Sequence, residues 1–153
     1  RVFPQITLSL EELKSEWIAM AEDKYFHEVK MKKGLEAFLA ELKRRGIRTG
    51  IATSNSRVLA EGFLESHGIR KYFDTVWTSC DVKAGKPAPD VYLKDCLVFE
   101  DVPMGILAGK NAGMKVCAIE DAFSAHQREK KRELADYYIC DYDDMMTNNY
   151  EVL

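Results

Sequence analysis

Several features are missing from this chain of 153 residues, and each absence closes off a class of protein. No run approaches the roughly 18–20 consecutive apolar residues of a membrane span, so no membrane partner is expected. Neither charge dominates: 22 Lys+Arg stand against 25 Asp+Glu, a formal net charge of −3. That slight acidity argues against a nucleic-acid-binding surface, which needs a basic patch. The residues Arg1-Val2-Phe3-Pro4 lead into a polar helix rather than an apolar signal segment, and there is no initiator Met. The chain therefore reads as processed or incomplete. Cysteine is scarce: Cys80, Cys96, Cys117 and Cys140 form no CxxC pair and have no zinc-ligand spacing. They read as small buried thiols in a reducing compartment, which implies a cytoplasmic protein. No Gly-rich P-loop or GxGxxG fingerprint occurs. What remains is 46% apolar and 31% charged residues, the mixture of a folded domain large enough for a core. The charge run at 128–132 reads as a solvated helix face.

The order of elements follows from periodicity and stop signals. Ser9-Leu10-Glu11-Glu12 is a capping box, and Leu10, Leu13, Trp17, Met20 and Ala21 recur at helical spacing up to about Tyr25. That stripe reads as core or interface. A second helix over 34–45 buries Leu35, Phe38, Leu39 and Leu42 and stops at Gly46. Strand and helix patterns then alternate. Strands are expected at 47–53, 75–79, 96–99, 115–119 and 137–140. Helices are expected at 57–67, 105–112 and 124–134, with a further helix start at Asp90. This order implies an α/β fold, a doubly wound parallel sheet with helices on both faces. One crossover is too short. After Asp90 only Val91, Tyr92, Leu93 and Lys94 remain for a covering helix, so residues are expected to be missing near 94–95.

In such a sheet, ligands bind at the carboxyl ends of the strands. The chain delivers Thr53, Ser54, Asn55 and Ser56 to the first of these ends. Lys86, in the loop Gly85-Lys86-Pro87-Ala88-Pro89, follows the second. Glu100 and Asp101 follow the third. Ser54 with nearby backbone N–H groups can hold an anion, or Ser54 and Ser56 can cap the next helix. Lys86 can neutralise phosphate. Glu100 and Asp101 can bind Mg²⁺, a hard ion that prefers oxygen ligands, or can form an exposed turn. Hydroxyl, lysine and metal together describe a site for phosphoryl transfer.

Three motifs now resemble a known family. Ile51-Ala52-Thr53-Ser54-Asn55-Ser56, Gly85-Lys86-Pro87-Ala88-Pro89-Asp90 and Leu97-Val98-Phe99-Glu100-Asp101 look like the second, third and fourth motifs of the haloacid dehalogenase-like superfamily. Val102-Pro103-Met104-Gly105-Ile106 and Asn111-Ala112-Gly113-Met114 point to its β-phosphoglucomutase-like branch. The resemblance covers about residues 30–144. It implies that Ser54 and Asn55 bind the substrate phosphate and that Lys86 steadies phosphate and nucleophile. It makes Asp101 the principal Mg²⁺ ligand, with Glu100 a second. It implies that residues 1–28 are the remnant of a helical cap, that 29–33 form a hinge, and that 29–153 are an incomplete Rossmann-like core.

The family's first motif, DxDx[TV], carries the nucleophilic aspartate, and its place precedes Arg1. The DxD at Asp141-Tyr142-Asp143 has Met145 at the Thr/Val position and reads as an ordinary surface turn. The function implied is Mg²⁺-dependent hydrolysis of a small phosphorylated metabolite, such as a sugar phosphate, through a phosphoaspartate. A phosphomutase with the same intermediate and a non-catalytic binding module are the alternatives. A monomer or weak dimer is expected.

Overall fold

The computed structural model describes residues 7–78, 81 and 96–153. The Lys86 loop, the helix start at Asp90, Cys80 and the short crossover at 94–95 lie outside the described residues.

Helix α1 (Leu10–Asp23) starts where the capping box places it: the Ser9 hydroxyl accepts the Glu12 N–H and the Glu12 carboxylate accepts the Ser9 N–H. It runs directly into a π-helical turn, Lys24–Glu28. None of its residues is buried, and Leu10, Trp17 and Met20 are exposed. Of the apolar stripe expected to pack, these three are thus uncovered among the described residues, while Leu13 and Ala21 are half-buried.

Next come α2 (Leu35–Arg44), β1 (Gly50–Thr53), α3 (Arg57–Ser66) and β2 (Thr75–Thr78). They are followed by β3 (Leu97–Glu100), α4 (Pro103–Asn111), β4 (Lys115–Ile119), α5 (Arg128–Leu134) and β5 (Tyr137–Ile139). Two unforeseen elements close the chain, α6 (Tyr142–Thr147) and β6 (Glu151–Val152). Strands β1 and β2 pair in parallel, and β3, β4 and β5 form a second parallel ladder. Strand β6 adds an antiparallel edge to β5. Among the described residues these are two sheets, ordered β1-β2 and β3-β4-β5-β6, with no pairing between them.

The α/β expectation holds, with helices on both faces of the larger sheet. Strand β4 alternates its side chains between two cores. Val116 and Ala118 pack with Val98, Ile106, Met114 and Tyr138 on one face. Cys117 and Ile119 pack with Ile139, Phe99, Tyr142 and Met145 on the other. Gly109 lets α4 lie close to the first face, since a Cβ there would stand 2.7 Å from Val116 Cγ2. The smaller sheet has its own core of Leu39, Leu64, Ile69 and Val76.

Helix α2 joins the two. Leu39 belongs to the β1–β2 core, while Phe38 meets Phe99 of β3 and Tyr142 of α6 at centroid distances of 5.5 and 5.4 Å. Gly34 opens α2 in a left-handed conformation (φ 76°), where a Cβ would press on the Asp143 and Tyr142 backbone. The Tyr142 N–H donates to the Lys33 carbonyl at 3.0 Å, completing the junction.

The thiols differ from expectation. Cys117 is buried, and burial pushes its thiol up to about 12, but Cys96 and Cys140 are exposed. Both stand one residue outside a strand, where alternation no longer turns them into a core. The charge run at 128–132 is also not a uniformly solvated face, because Lys131 is fully buried.

Asp136 ties three elements together. Its carboxylate accepts from Lys110 of α4 (2.8 Å), Lys115 of β4 (2.7 Å) and the Val116 N–H (2.9 Å). Partial burial opposes ionisation, but these donors outweigh it and hold the carboxyl down at about 2. A carboxyl depressed in the folded state stabilises the fold above its unfolded pKa, near 3.8 here, and loses that stabilisation as pH falls toward 2. Asp136→Asn should therefore cost about 1–2 kcal/mol at neutral pH. Thermal unfolding across pH 2–7 should show the gap between parent and variant closing between about pH 4 and pH 2. A gap independent of pH would contradict this assignment.

Candidate functional site

The first loop follows β1. Ser56 takes an extended backbone, and its hydroxyl accepts the Leu59 N–H at 3.3 Å, so Ser56 is the cap of α3. Ser54 is therefore not the capping residue and lies exposed at the strand end. Asn55 is fixed at both ends. Its N–H donates to Thr53 Oγ1 at 3.1 Å, and its Nδ2 donates to the Tyr25 hydroxyl at 3.0 Å. Tyr25, in the π turn, sets its ring edge-on to Phe63 of α3. Sequence reasoning assigned Tyr25 no role; its only signal is an aromatic with a polar tip at the junction between a helix and a hinge.

The second loop follows β3. Pro103 starts α4 with its backbone angle already set for the helix. The two acids expected to bind Mg²⁺ have different surroundings. Glu100 is buried, with its carboxylate laid on Gly105, where any Cβ would overlap it. That position is the first turn of α4, where the positive end of the helix dipole favours a carboxylate. Asp101 is half-exposed and lies within 3.8 Å of Lys32 Nζ.

Lys32 was also missed. It lies between the π turn and α2, where its spacing resembles that of any surface lysine. Its Nζ donates to Asp121 Oδ2 at 2.5 Å and to the Glu120 carbonyl at 3.1 Å. The Lys32 ammonium holds the Asp121 carboxyl below the usual aspartate range. Arg128 does the same for Glu120 through two bonds of 3.0 and 2.8 Å. Three oxygens, from Asp101, the Glu120 main chain and Asp121, thus surround one cationic group. The stretch between α1 and α2 therefore touches both loops, Asn55 through Tyr25 of the π turn and Asp101 through Lys32.

Among the described residues no three His, Cys, Asp or Glu side chains group closely enough to hold a metal alone. Mg²⁺ does not require this, since it commonly takes one or two carboxylates and completes its shell with water and phosphate. The all-oxygen donor set around Lys32, already arranged about a positive charge, fits such an ion.

Lys86 lies outside the described residues. The Asp141–Asp143 acids do structural work: Asp141 caps α6 in a capping box with Asp144. Asp141 and Asp143 bind Lys33, at 3.1 and 2.6 Å. The segment expected to be a surface turn is a capped helix start.

Comparison with known proteins bears on this site. Residues 2–119 match the family described as haloacid dehalogenase-like hydrolase. The chain is 41% identical over 92 residues to glycerol-1-phosphate phosphohydrolase 2 of Saccharomyces cerevisiae, covering 48% of this chain and 36% of the yeast protein. Its fold matches CbbY of Rhodobacter sphaeroides, solved in complex with phosphate. The TM-score is 0.76 at 22% identity, over 92% of this chain and 67% of that one. β-Phosphoglucomutase of Clostridium difficile matches with a TM-score of 0.68 at 20% identity, over 88% and 60% of the two chains. The chain spans about half the length or less of the curated relatives it matches.

The oxygen cluster around Lys32 makes a direct prediction. Lys32→Met leaves Asp101, Asp121 and the Glu120 carbonyl without their cation and should cost about 1–3 kcal/mol. Millimolar Mg²⁺ should then raise the melting temperature of the variant more than that of the parent. Equal responses to Mg²⁺ would show that these oxygens do not accept a free cation.

Proposed function

The chain belongs to the haloacid dehalogenase-like hydrolase family, and from that premise we propose that it forms the phosphate- and Mg²⁺-binding face of a hydrolase of small phosphate monoesters. Sugar phosphates and related small metabolites are the proposed substrates. The single observation that carries this reading is the convergence of hard oxygen donors on one cation at the carboxyl ends of β3 and β4. A surface turn would not gather them. Residues 1–28 act as part of a helical cap and 29–153 as the core beneath it.

Each residue has a defined task in this reading. Ser54, exposed at the end of β1, donates its hydroxyl to a phosphate oxygen. Asn55, oriented by Tyr25, lines the same anion. Lys86 contributes a fixed positive charge near phosphate and nucleophile. Asp101 holds Mg²⁺, with Glu100 as the second carboxylate of the motif. Mg²⁺ bound there supplies charge neutralisation for the phosphate.

The nucleophile is an aspartate of the DxDx[TV] motif, which residues 1–153 do not contain in that form. Its carboxylate oxygen bonds to phosphorus as the ester P–O bond breaks, and the leaving alkoxide takes a proton from the second aspartate of that motif, which regains it from the attacking water. Water then attacks the phosphoaspartate, restoring the carboxylate and releasing inorganic phosphate.

Screening the full-length protein against phosphorylated metabolites tests the proposal. Mg²⁺-dependent phosphate release is expected, and Asp101→Asn should lower kcat/KM by about 10²–10³-fold, the usual effect of losing one electrostatic partner of the transition state. Transfer of phosphate to a second sugar hydroxyl rather than to water would identify a phosphomutase. Absence of Mg²⁺-dependent turnover, with Asp101→Asn indistinguishable from parent, would leave a binding module instead.

A further inference from the structure

Lys131 is fully buried, yet the described residues give it no carboxylate within ion-pair distance. Its neighbours in α5 behave as surface cations do. Arg128 pairs with Glu120, Lys130 with Glu133, and Arg132 with Glu151. Lys131 instead turns inward and donates to two neutral oxygens, the Ile119 carbonyl at 3.1 Å and Ser124 Oγ at 3.0 Å. Burying an ammonium costs several kcal/mol, so a position that needed only packing would be better served by a methionine.

The second bond shows what the cation is used for. Ser124, also buried, donates its one hydroxyl proton to the Asp101 carbonyl at 2.5 Å. That hydroxyl has only lone pairs left, and the ammonium fills one of them. A cationic donor polarises the hydroxyl and strengthens its own donation onward. The first bond holds the Ile119 carbonyl, one residue before Glu120 and two before Asp121. One buried ammonium therefore grips the carboxyl ends of both β3 and β4. These ends carry the three oxygens that surround Lys32. Its positive field also reaches the Glu120 and Asp121 carboxylates and favours their charged forms.

We propose that Lys131, acting through Ser124 and the Ile119 carbonyl, is a positioning residue that sets the separation of Asp101 and Asp121 and so the affinity of this face for a divalent cation. The proposal rests on the Mg²⁺ reading above and adds residues that no sequence motif marks. Metal ligands held by a second layer of hydrogen bonds commonly lose about 10–100-fold in metal affinity when that layer is removed.

Calorimetric titration of the full-length protein with Mn²⁺ alone tests it, without substrate or turnover. Ser124→Ala should weaken Mn²⁺ binding about 10–100-fold, while Ser124→Thr, which keeps the hydroxyl, should bind within a few-fold of parent. Lys131→Met should weaken binding to the same degree as Ser124→Ala, and the double variant should be no worse than either. Melting temperatures recorded in parallel separate lost positioning from lost folding, and Ser124→Ala remains informative if Lys131→Met does not fold. Parent binding retained in folded Ser124→Ala overturns the relay while leaving the Mg²⁺ reading intact. Parent protein that binds no Mn²⁺, or Asp101→Asn that binds it like parent, overturns the Mg²⁺ reading, and the relay with it.

Discussion

Two sheets that share no strand pairing among the described residues must be held in register by something other than a hydrogen-bond ladder, and here it is α2. Phe38 and Leu39 are neighbours in sequence and serve different cores. Leu39 seals the β1–β2 layer, and Phe38 closes a ring cluster with Phe99 and Tyr142 over the larger sheet. Buried aromatics of this size contribute several kcal/mol each, far more than any surface ion pair at the loops. The strict left-handed entry at Gly34, pressed against the start of α6, fixes the direction in which α2 leaves the hinge. The loop holding Ser54 and the loop holding Asp101 are consequently attached to one rigid helix.

Electrostatics then refines what packing has placed. Cations approach the acidic ends of β3 and β4 from opposite sides: Lys32 from the hinge and Lys131 from within. The outer cation is partly exposed and touches the carboxylates themselves. The inner one is buried and touches only a carbonyl and a hydroxyl. That difference separates an amine that solvent reaches from one that it does not. Lys32, between the π turn and α2, is the outer cation, and Tyr25 of the π turn touches Asn55 in the loop after β1. Movement of the segment before α2 is therefore felt by both halves of the site.

Much of this was legible in the sequence because it depends on local rules. The capping box at Ser9, the glycine stops, and the strand and helix alternation from β1 to β5 all follow from short-range chemistry, as do the motif residues at the strand ends. What was not legible depends on partners distant in sequence. Lys131 sits in a run of charges whose composition says surface, and only the approach of Ser124 and Ile119 makes an interior position habitable for it. The burial of Glu100 depends on Gly105, which lets a carboxylate occupy space that a side chain would fill. Cys96 and Cys140 are exposed because the strands stop one residue short of them. The choice between Ser54 and Ser56 as cap turned on backbone conformation, which residue type alone does not specify.

The central claim is that α2 and the hinge hold the Ser54 loop and the Asp101 loop over one cation site. Paramagnetic broadening by Mn²⁺ in the ¹⁵N-labelled full-length protein tests it most directly. The amide signals of Ser54, Asn55, Asp101, Val102 and Asp121 should broaden together at low Mn²⁺ and recover together when Mg²⁺ is added in excess. Broadening confined to residues 101, 102 and 121, with Ser54 and Asn55 left sharp, would contradict a shared site.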